Sequence, residues 1–152
     1  MKRKRIMLIG PRASGKTALA NLLNGEDAPR RRAQDTIYGR ETLEAASAYL
    51  ENTWMYRCLI ALSQDAWCIL VLVAADGSAD AYSPGFAATF RVPVVGVITR
   101  TDCAPDGIAE SQRQLERIGV APPYFAISTA TGEGVDALTQ HLNTLKKGGA
   151  QP

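Results

Sequence analysis

Eight residues near the amino terminus carry the clearest chemical pattern of this 152-residue chain. They read Gly10-Pro11-Arg12-Ala13-Ser14-Gly15-Lys16-Thr17 and match the pattern G-x-x-x-x-G-K-S/T. Glycines at these positions let the backbone curl so that its N–H groups point at one centre, and a helix that begins there adds positive dipole character. A lysine and a hydroxyl follow directly. The pattern therefore predicts a loop that holds phosphate groups.

The predicted phosphate loop lies between a strand and a helix, as phosphate binding requires. It lies between a predicted strand, Arg5 to Ile9, and a predicted helix, Gly15 to Asn24. We expect Lys16 to reach the β- and γ-phosphates of a nucleotide as the catalytic cation, and Thr17 to offer its hydroxyl to Mg²⁺. The residues expected to bind phosphate are Gly10, Pro11, Arg12, Ala13, Ser14, Gly15, Lys16, Thr17 and Ala18.

Two later segments stand where a nucleotide base would be bound, because ligands of open α/β sheets lie beyond the carboxyl ends of the strands. Thr99-Arg100-Thr101-Asp102 resembles the N/T-K-x-D element by which Ras-like GTPases hold guanine, and Ser128-Thr129-Ala130 resembles their S-A-K element. By this resemblance, the Asp102 carboxylate would accept hydrogen bonds from the ring N–H and the amine of guanine. Adenine does not supply this pair of donors. The expected base-binding residues are Thr99, Arg100, Asp102, Ser128, Thr129 and Ala130.

The rest of the chain alternates short apolar runs with helical patterns, which indicates an α/β protein. Further strands are predicted at Cys68 to Ala74, Val92 to Thr99 and Tyr124 to Ile127. Further helices are predicted at Ala48 to Ser63, Pro84 to Thr89, Asp106 to Ile118 and Val135 to Leu145. The segment from Glu26 to Ala46 has few apolar anchors, and we expect a mobile loop there with at most one edge strand.

Composition and charge indicate which classes of protein this chain can belong to. The chain is 46% apolar and 21% charged, which predicts a single folded domain over residues 1–147 with a flexible tail over 148–152. The apolar run from Cys68 to Ala75 is too short for a membrane span of roughly 20 residues. Cys58, Cys68, Cys103 and His141 do not have the spacing of a zinc site. Residues 1–32 hold nine basic and two acidic residues, a balance that suits nucleic acid, an acidic membrane surface or nucleotide phosphates.

Nearly the whole chain resembles the EutP/PduV family of Ras-like GTPases, which are encoded with bacterial microcompartments, and its propanediol-type branch in particular. Beyond the phosphate loop, the resemblance rests on Tyr49 to Asn52, Tyr82 to Phe86, Pro93 to Thr99 and Gly134 to Asp136. It implies a three-layer P-loop NTPase (Ras-like) fold with a mostly parallel six-stranded sheet, and binding of GTP or GDP with Mg²⁺. It also implies a cytoplasmic protein associated with a microcompartment shell or an associated protein, with no nucleic acid or membrane partner.

One segment departs from the family pattern. Family members carry D-T-P-G-E where this chain has Glu44-Ala45-Ala46-Ser47-Ala48. Glu44 retains a carboxylate for the metal, but Ser47 restricts the backbone and Ala48 cannot orient an attacking water, so we expect weak or partner-dependent GTP hydrolysis. Thr36 and Thr42 are both candidates for the remaining Mg²⁺-binding threonine.

Two other functions fit the phosphate loop. One is a small ATP-dependent phosphotransferase in which residues 26–46 close as a lid and Arg30 to Arg32 clamp the phosphate. The other is a scaffold that binds no nucleotide.

The aromatic residues Trp54, Tyr56 and Trp67 are expected to pack against the core rather than to stack on a base.

Overall fold

The computed structural model describes residues 4–11, 14–25, 36–77 and 82–149. These residues form six strands and five α-helices. In chain order they are β1 (Arg5–Ile9), α1 (Lys16–Asn24), β2 (Ile37–Tyr38), β3 (Thr42–Glu44), α2 (Ser47–Glu51), α3 (Tyr56–Leu62), β4 (Ala66–Ala74), β5 (Val94–Thr99), α4 (Ile108–Ile118), β6 (Tyr124–Ala126) and α5 (Val135–Gly149).

The strands form one sheet in the order β2-β3-β1-β4-β5-β6. Strands β3, β1, β4, β5 and β6 run parallel, and only β2, among the described strands, is antiparallel to its neighbour. The expected α/β fold with a mostly parallel six-stranded sheet is confirmed. Because the parallel strands point the same way, the loops that follow β1, β3, β5 and β6 emerge at one edge of the sheet.

Helices cover both faces of the sheet, and successive residues of a strand are buried on opposite sides. Met7 and Ile9 join the cluster that includes Leu59 of α3 and Leu115 of α4. Ile6 and Leu8 join the other cluster, with residues of α1 and α5. Burial on both faces explains why β1, β4 and β5 read as continuous apolar runs without polar alternation.

The predicted helix from Ala48 to Ser63 is wrong as a single helix. It is broken into α2, a 3₁₀ turn at Thr53–Met55, and α3. Asn52 lies at the break with an extended backbone, φ −123° and ψ 109°, and its side-chain amide donates to the carbonyl of Ala48 at 2.8 Å. The backbone N–H of Asn52 donates to the same carbonyl at 3.2 Å, so both groups cap the end of α2.

Two more expectations need correction. In residues 36–46 the structure has two short strands instead of a loop, and β3 lies inside the sheet, between β2 and β1; residues 26–35 lie outside the described residues. Trp54, in the 3₁₀ turn at the break, is 70% exposed, so its predicted packing is wrong. Tyr56 does pack, with its ring 5.3 Å from that of Phe86. No helix in the described ranges is long and apolar enough to cross a membrane.

Candidate nucleotide site

The loop after β1 and the first turn of α1 bring the predicted phosphate-binding residues together, apart from Arg12 and Ala13, which lie outside the described residues. Gly15 precedes α1 with φ +93°, a conformation that glycine adopts without strain. A Cβ atom on Gly10 would collide with the hydroxyl of Ser14, which packs across the loop. Both glycines are therefore needed for the loop to close in this form.

Lys16 points back into this loop. Its Nζ donates to the carbonyl of Gly10 at 2.5 Å, to that of Pro11 at 3.4 Å, and to the hydroxyl of Ser47 at 2.6 Å. Burial lowers the pKa of Lys16 from 10.5 to about 8, while the nearby carboxylates of Glu44 and Glu51 act in the opposite direction. Lys16 is thus a partly desolvated cation, and an anion bound in the loop would stabilise its protonated form.

Thr17 and Glu44 form the oxygen-rich part of the site. The Thr17 hydroxyl donates to Glu44 Oε1 at 2.9 Å, and Glu44, at the end of β3, is 6% exposed. Hydroxyl and carboxylate oxygens are ligands that suit Mg²⁺. The residues present therefore fit this ion, which the oxygens of Thr17 and Glu44 would hold.

The structure separates the two candidate threonines of the preceding segment. Thr42 pairs with Ile6 near the start of β1, and its hydroxyl accepts a hydrogen bond from Asn24 at 2.9 Å, so it lies away from the phosphate loop. Thr36 precedes Ile37, which pairs with Glu44. The Thr36 hydroxyl is buried and has no hydrogen-bond partner among the described residues. Thr36, unlike Thr42, therefore lies at the same end of the sheet as Glu44.

The last residue of β5 contacts the phosphate loop directly. The Thr99 hydroxyl donates to the carbonyl of Ser14 at 2.7 Å and is 3.3 Å from that of Val73. Thr101 donates through its hydroxyl and its backbone N–H to the carbonyl of Ile127, at 3.0 and 3.3 Å. These bonds hold the phosphate loop and the loops after β5 and β6 in one arrangement.

The predicted base-binding residues lie along these two loops. Arg100 has φ +60°, an uncommon conformation for a residue other than glycine, and its buried Nε has no hydrogen-bond partner within the described ranges. Asp102 is exposed, and its carboxylate accepts a hydrogen bond from the Cys103 thiol at 3.8 Å. Ser128 is fully buried, and its hydroxyl accepts from the N–H of Thr131 at 3.2 Å. Thr129 is half-buried and Ala130 is exposed in the same loop.

Three contacts of the site are not predicted by the sequence patterns described above. The sequence pattern treats Ser47 only as a restraint on the backbone, yet its hydroxyl binds Lys16. Thr101 fastens the base loop to the end of β6. The Tyr82 hydroxyl donates to the carbonyls of Ile9 at 3.0 Å and Leu72 at 2.8 Å, which fixes the start of the phosphate loop. Sequence could have indicated Ser47 by its closeness to Glu44, but Tyr82 and Ile9 are 73 positions apart.

Residues 3–144 match the family model PduV-EutP, described as "Ethanolamine utilisation - propanediol utilisation". The propanediol utilization protein PduV of Citrobacter freundii is 34% identical over 141 residues, which cover 92% of this chain and 93% of that protein. The chain belongs to the PduV-EutP family. A relative from Escherichia coli strain K12, named "Probable acetate kinase EutP", is 26% identical and covers 95% of this chain and 92% of its own length. The expected family and its propanediol-type branch are thereby confirmed.

Solved GTPase structures share the fold of this PduV-EutP family member. The G-domain of FeoB from Methanococcus jannaschii has a TM-score of 0.65 and 16% identity, and the match covers 97% of this chain and 99% of that one. The elongation factor SelB from Methanococcus maripaludis, solved with the GTP analogue GppNHp, has a TM-score of 0.66 and 18% identity. The match covers 97% of this chain and 35% of the SelB chain. The P-loop GTPase fold is therefore confirmed.

Proposed function

We propose that this PduV-EutP protein binds guanine nucleotides with Mg²⁺. The observation that carries the proposal is the bond from the Thr99 hydroxyl to the Ser14 carbonyl at 2.7 Å, because it joins the loop for the base to the loop for the phosphates. Lys16 would bind the β- and γ-phosphates, and Thr17 and Glu44 would hold the metal ion. Mg²⁺ would neutralise phosphate charge when bound. The GTPases that share the fold support this proposal.

The proposed base contact is tested by replacing Asp102 with asparagine. The Asp102 carboxylate would accept two hydrogen bonds from guanine, and the asparagine amide would offer a donor in place of one acceptor. Asp102→Asn should weaken GDP binding by about a hundredfold and strengthen binding of xanthosine diphosphate, whose ring carries a carbonyl where guanine has the amine. Titration calorimetry with both nucleotides measures the change.

Asp106→Asn provides the matched control, because Asp106 is also exposed and lies four positions further along the same loop. It should leave both affinities within about twofold of wild type. If Asp102→Asn left GDP and xanthosine diphosphate affinities unchanged, Asp102 would not contact the base and the guanine assignment would be lost.

GTP hydrolysis is proposed to be weak or dependent on a partner protein. Phosphoryl transfer depends on positioning an attacking water, and Ala48 has only a methyl group at the position where family members carry glutamate. We expect single-turnover hydrolysis on the order of 10⁻⁴ s⁻¹, as for an unassisted Ras-like GTPase. Release of labelled phosphate from GTP measures it. A turnover of about 0.1 s⁻¹ or more from the purified chain would contradict the prediction.

A second candidate function is phosphoryl transfer to a small acid. The specific observations in its favour are the methyl side chain of Ala48, which does not orient a water, and the name "Probable acetate kinase" of relatives at 25–26% identity. In this function the γ-phosphate would move to a carboxylate oxygen of acetate, giving acetyl phosphate and the nucleoside diphosphate. Formation of the nucleoside diphosphate, measured with and without acetate, distinguishes the two functions, since a kinase would consume nucleotide only when acetate is added and would leave the phosphate on acetyl phosphate.

A role at a microcompartment is proposed from the family description, which names ethanolamine and propanediol utilisation. The partner would be a shell protein or a protein associated with the shell. Cosedimentation of the tagged chain with purified compartments, compared between wild type and Lys16→Ala, tests whether the association requires a nucleotide-binding loop. Cosedimentation only of wild type would support a nucleotide-dependent partner, and no cosedimentation of either would argue against this role.

A further inference from the structure

A second cleft lies at the end of the sheet opposite to the predicted nucleotide site. Ile6 and Trp67, near the starts of β1 and β4, line it, whereas the predicted phosphate and base loops follow the ends of their strands. The space measures about 330 Å³, at the lower end of the range of small-molecule sites. The residues that line it are separate from those expected to contact the nucleotide.

One side of the cleft is a face of α5. The helix contributes side chains three and four positions apart, which lie on one side of a helix. They are Thr139, Leu142, Asn143 and Lys146. The Nζ atom of Lys146 lies 5.9 Å from the centre of the Trp67 ring, whose negative face attracts an ammonium group. A positive charge therefore stands in the cleft beside an aromatic surface.

A negative charge comes from Glu41, in the turn between β2 and β3. Its backbone N–H donates to Asn24 Oδ1 at 2.7 Å, and its carbonyl accepts from the N–H of Ile6 at 2.9 Å. These bonds fasten the backbone of Glu41 to α1 and β1. Among the described residues that line the cleft, Glu41 and Lys146 are the charged ones, and they have opposite signs.

The pair of charges indicates the class of ligand that fits. A molecule with only a negative charge would be repelled by Glu41, and one with only a positive charge would be repelled by Lys146. A molecule that carries both an ammonium and a carboxylate meets an opposite charge at each. Its apolar part would lie against Trp67 and Ile6, and the removal of that surface from water favours binding.

We propose that this cleft binds an amino-acid-like zwitterion with an apolar side chain. Lys146 pairs with the carboxylate of the ligand, Glu41 pairs with its ammonium group, and Trp67 contacts its side chain. The site is separate from the proposed nucleotide site, and the inference does not depend on nucleotide binding.

The probe is L-phenylalanine, compared with two molecules that each lack one of its charged groups. These are 3-phenylpropanoate, without the ammonium, and 2-phenylethylamine, without the carboxylate. The chain has two tryptophans, so Trp54→Phe identifies the indole N–H signal of Trp67 in a ¹H–¹⁵N NMR spectrum. Phenylalanine should shift that signal until it saturates. Each comparison molecule should bind about tenfold more weakly, because it lacks one charged hydrogen-bonding group.

Two substitutions assign each charge to one end of the ligand. Lys146→Met should weaken phenylalanine binding about tenfold and should not weaken binding of 2-phenylethylamine, which has no carboxylate. Glu41→Gln should weaken phenylalanine binding by a similar factor and should not weaken binding of 3-phenylpropanoate, which has no ammonium. Lys147→Met and Glu116→Gln are the matched controls, since both residues are exposed and lie outside the cleft, and they should change the affinity by less than about twofold.

A saturating shift of the Trp67 signal that is weakened selectively in the two variants supports the inference. No shift of that signal at about 50 mM phenylalanine in the folded wild-type protein would overturn it, and so would equal affinity for the three molecules. Wild-type affinity for phenylalanine in both Lys146→Met and Glu41→Gln would also overturn it. GDP binding is measured separately, so failure of the nucleotide proposal and failure of this one are distinguished.

Discussion

At the scale of single residues, the site depends on the charge of Lys16. Burial lowers the pKa of Lys16 to about 8, and the carboxylates of Glu44 and Glu51 prevent a larger decrease. A phosphate ligand favours the charged ammonium, so its binding raises the pKa again. Above pH 8 the nucleotide-free protein must therefore take up a proton when it binds a nucleotide, and the affinity should fall as the pH rises.

The predicted consequence is that the GDP dissociation constant increases about tenfold between about pH 7 and pH 9. A lysine with an ordinary pKa would leave it constant over this range. Titration calorimetry measures the constant at each pH, and repeating the titration at about pH 8.5 in buffers of different ionisation enthalpy counts the protons taken up. Constant affinity to about pH 9.5 with no proton uptake would show that Lys16 is charged throughout or does not bind the phosphates.

The residue types of the site can be predicted from sequence, but several of their contacts cannot. Lys16 and Thr17 follow from one contiguous pattern, so their roles are predictable without knowledge of the fold. The contact between Lys16 and Ser47 joins residues 31 positions apart, and it exists only because β3 pairs with β1. That Thr36 and not Thr42 lies at the Glu44 end of the sheet likewise follows only from the register of the β2–β3 pair.

At the scale of elements, Tyr82 connects the ends of β1 and β4. Its hydroxyl donates to the carbonyls of Ile9 and Leu72, and burial raises the pKa of Tyr82 well above its ordinary value, so the phenol remains a donor. Its ring packs 5.4 Å from that of Phe86. The ring thus fills space in the core while the hydroxyl satisfies carbonyls at the base of the phosphate loop.

Tyr82→Phe should therefore lower the free energy of unfolding by about 1–3 kcal/mol, because the single hydroxyl donor that two carbonyls share is lost while the ring contacts remain. Urea unfolding followed by circular dichroism measures the difference. Tyr38→Phe is the control, since Tyr38 is 48% exposed and its hydroxyl donates to Asp65 at 3.3 Å. We expect a change within about 0.5 kcal/mol there. Equal stability of Tyr82→Phe and wild type would contradict the role given to the hydroxyl.

The strands are easier to predict than the segment after β3. The bounds predicted for β1, Arg5 to Ile9, agree with the structure, because burial on both faces leaves a continuous apolar run. The break at Asn52 is hidden in the sequence because apolar residues continue at helical spacing across it, and the bond by which the Asn52 side chain caps α2 depends on side-chain geometry. The exposure of Trp54 follows from that break and could not be predicted without it.

At the scale of the whole molecule, the sheet places four loops along one edge. The strand order puts the predicted base loops beyond β5 and β6, the predicted phosphate loop beyond β1, and Glu44 and Ser47 at and after the end of β3. A nucleotide bound along this edge would contact each loop in turn. The order itself could be predicted only through resemblance to the family, because apolar patterns identify strands and do not say which strands are neighbours.

Binding of guanine nucleotide is the central claim, and titration calorimetry of the nucleotide-free chain with GDP and ADP in Mg²⁺ tests it most directly. The account predicts one site per chain and GDP affinity about a hundredfold or more above that for ADP, since Asp102 would be left without its donors by adenine. Equal or tighter binding of ADP, or binding of neither nucleotide by the folded protein, would contradict it.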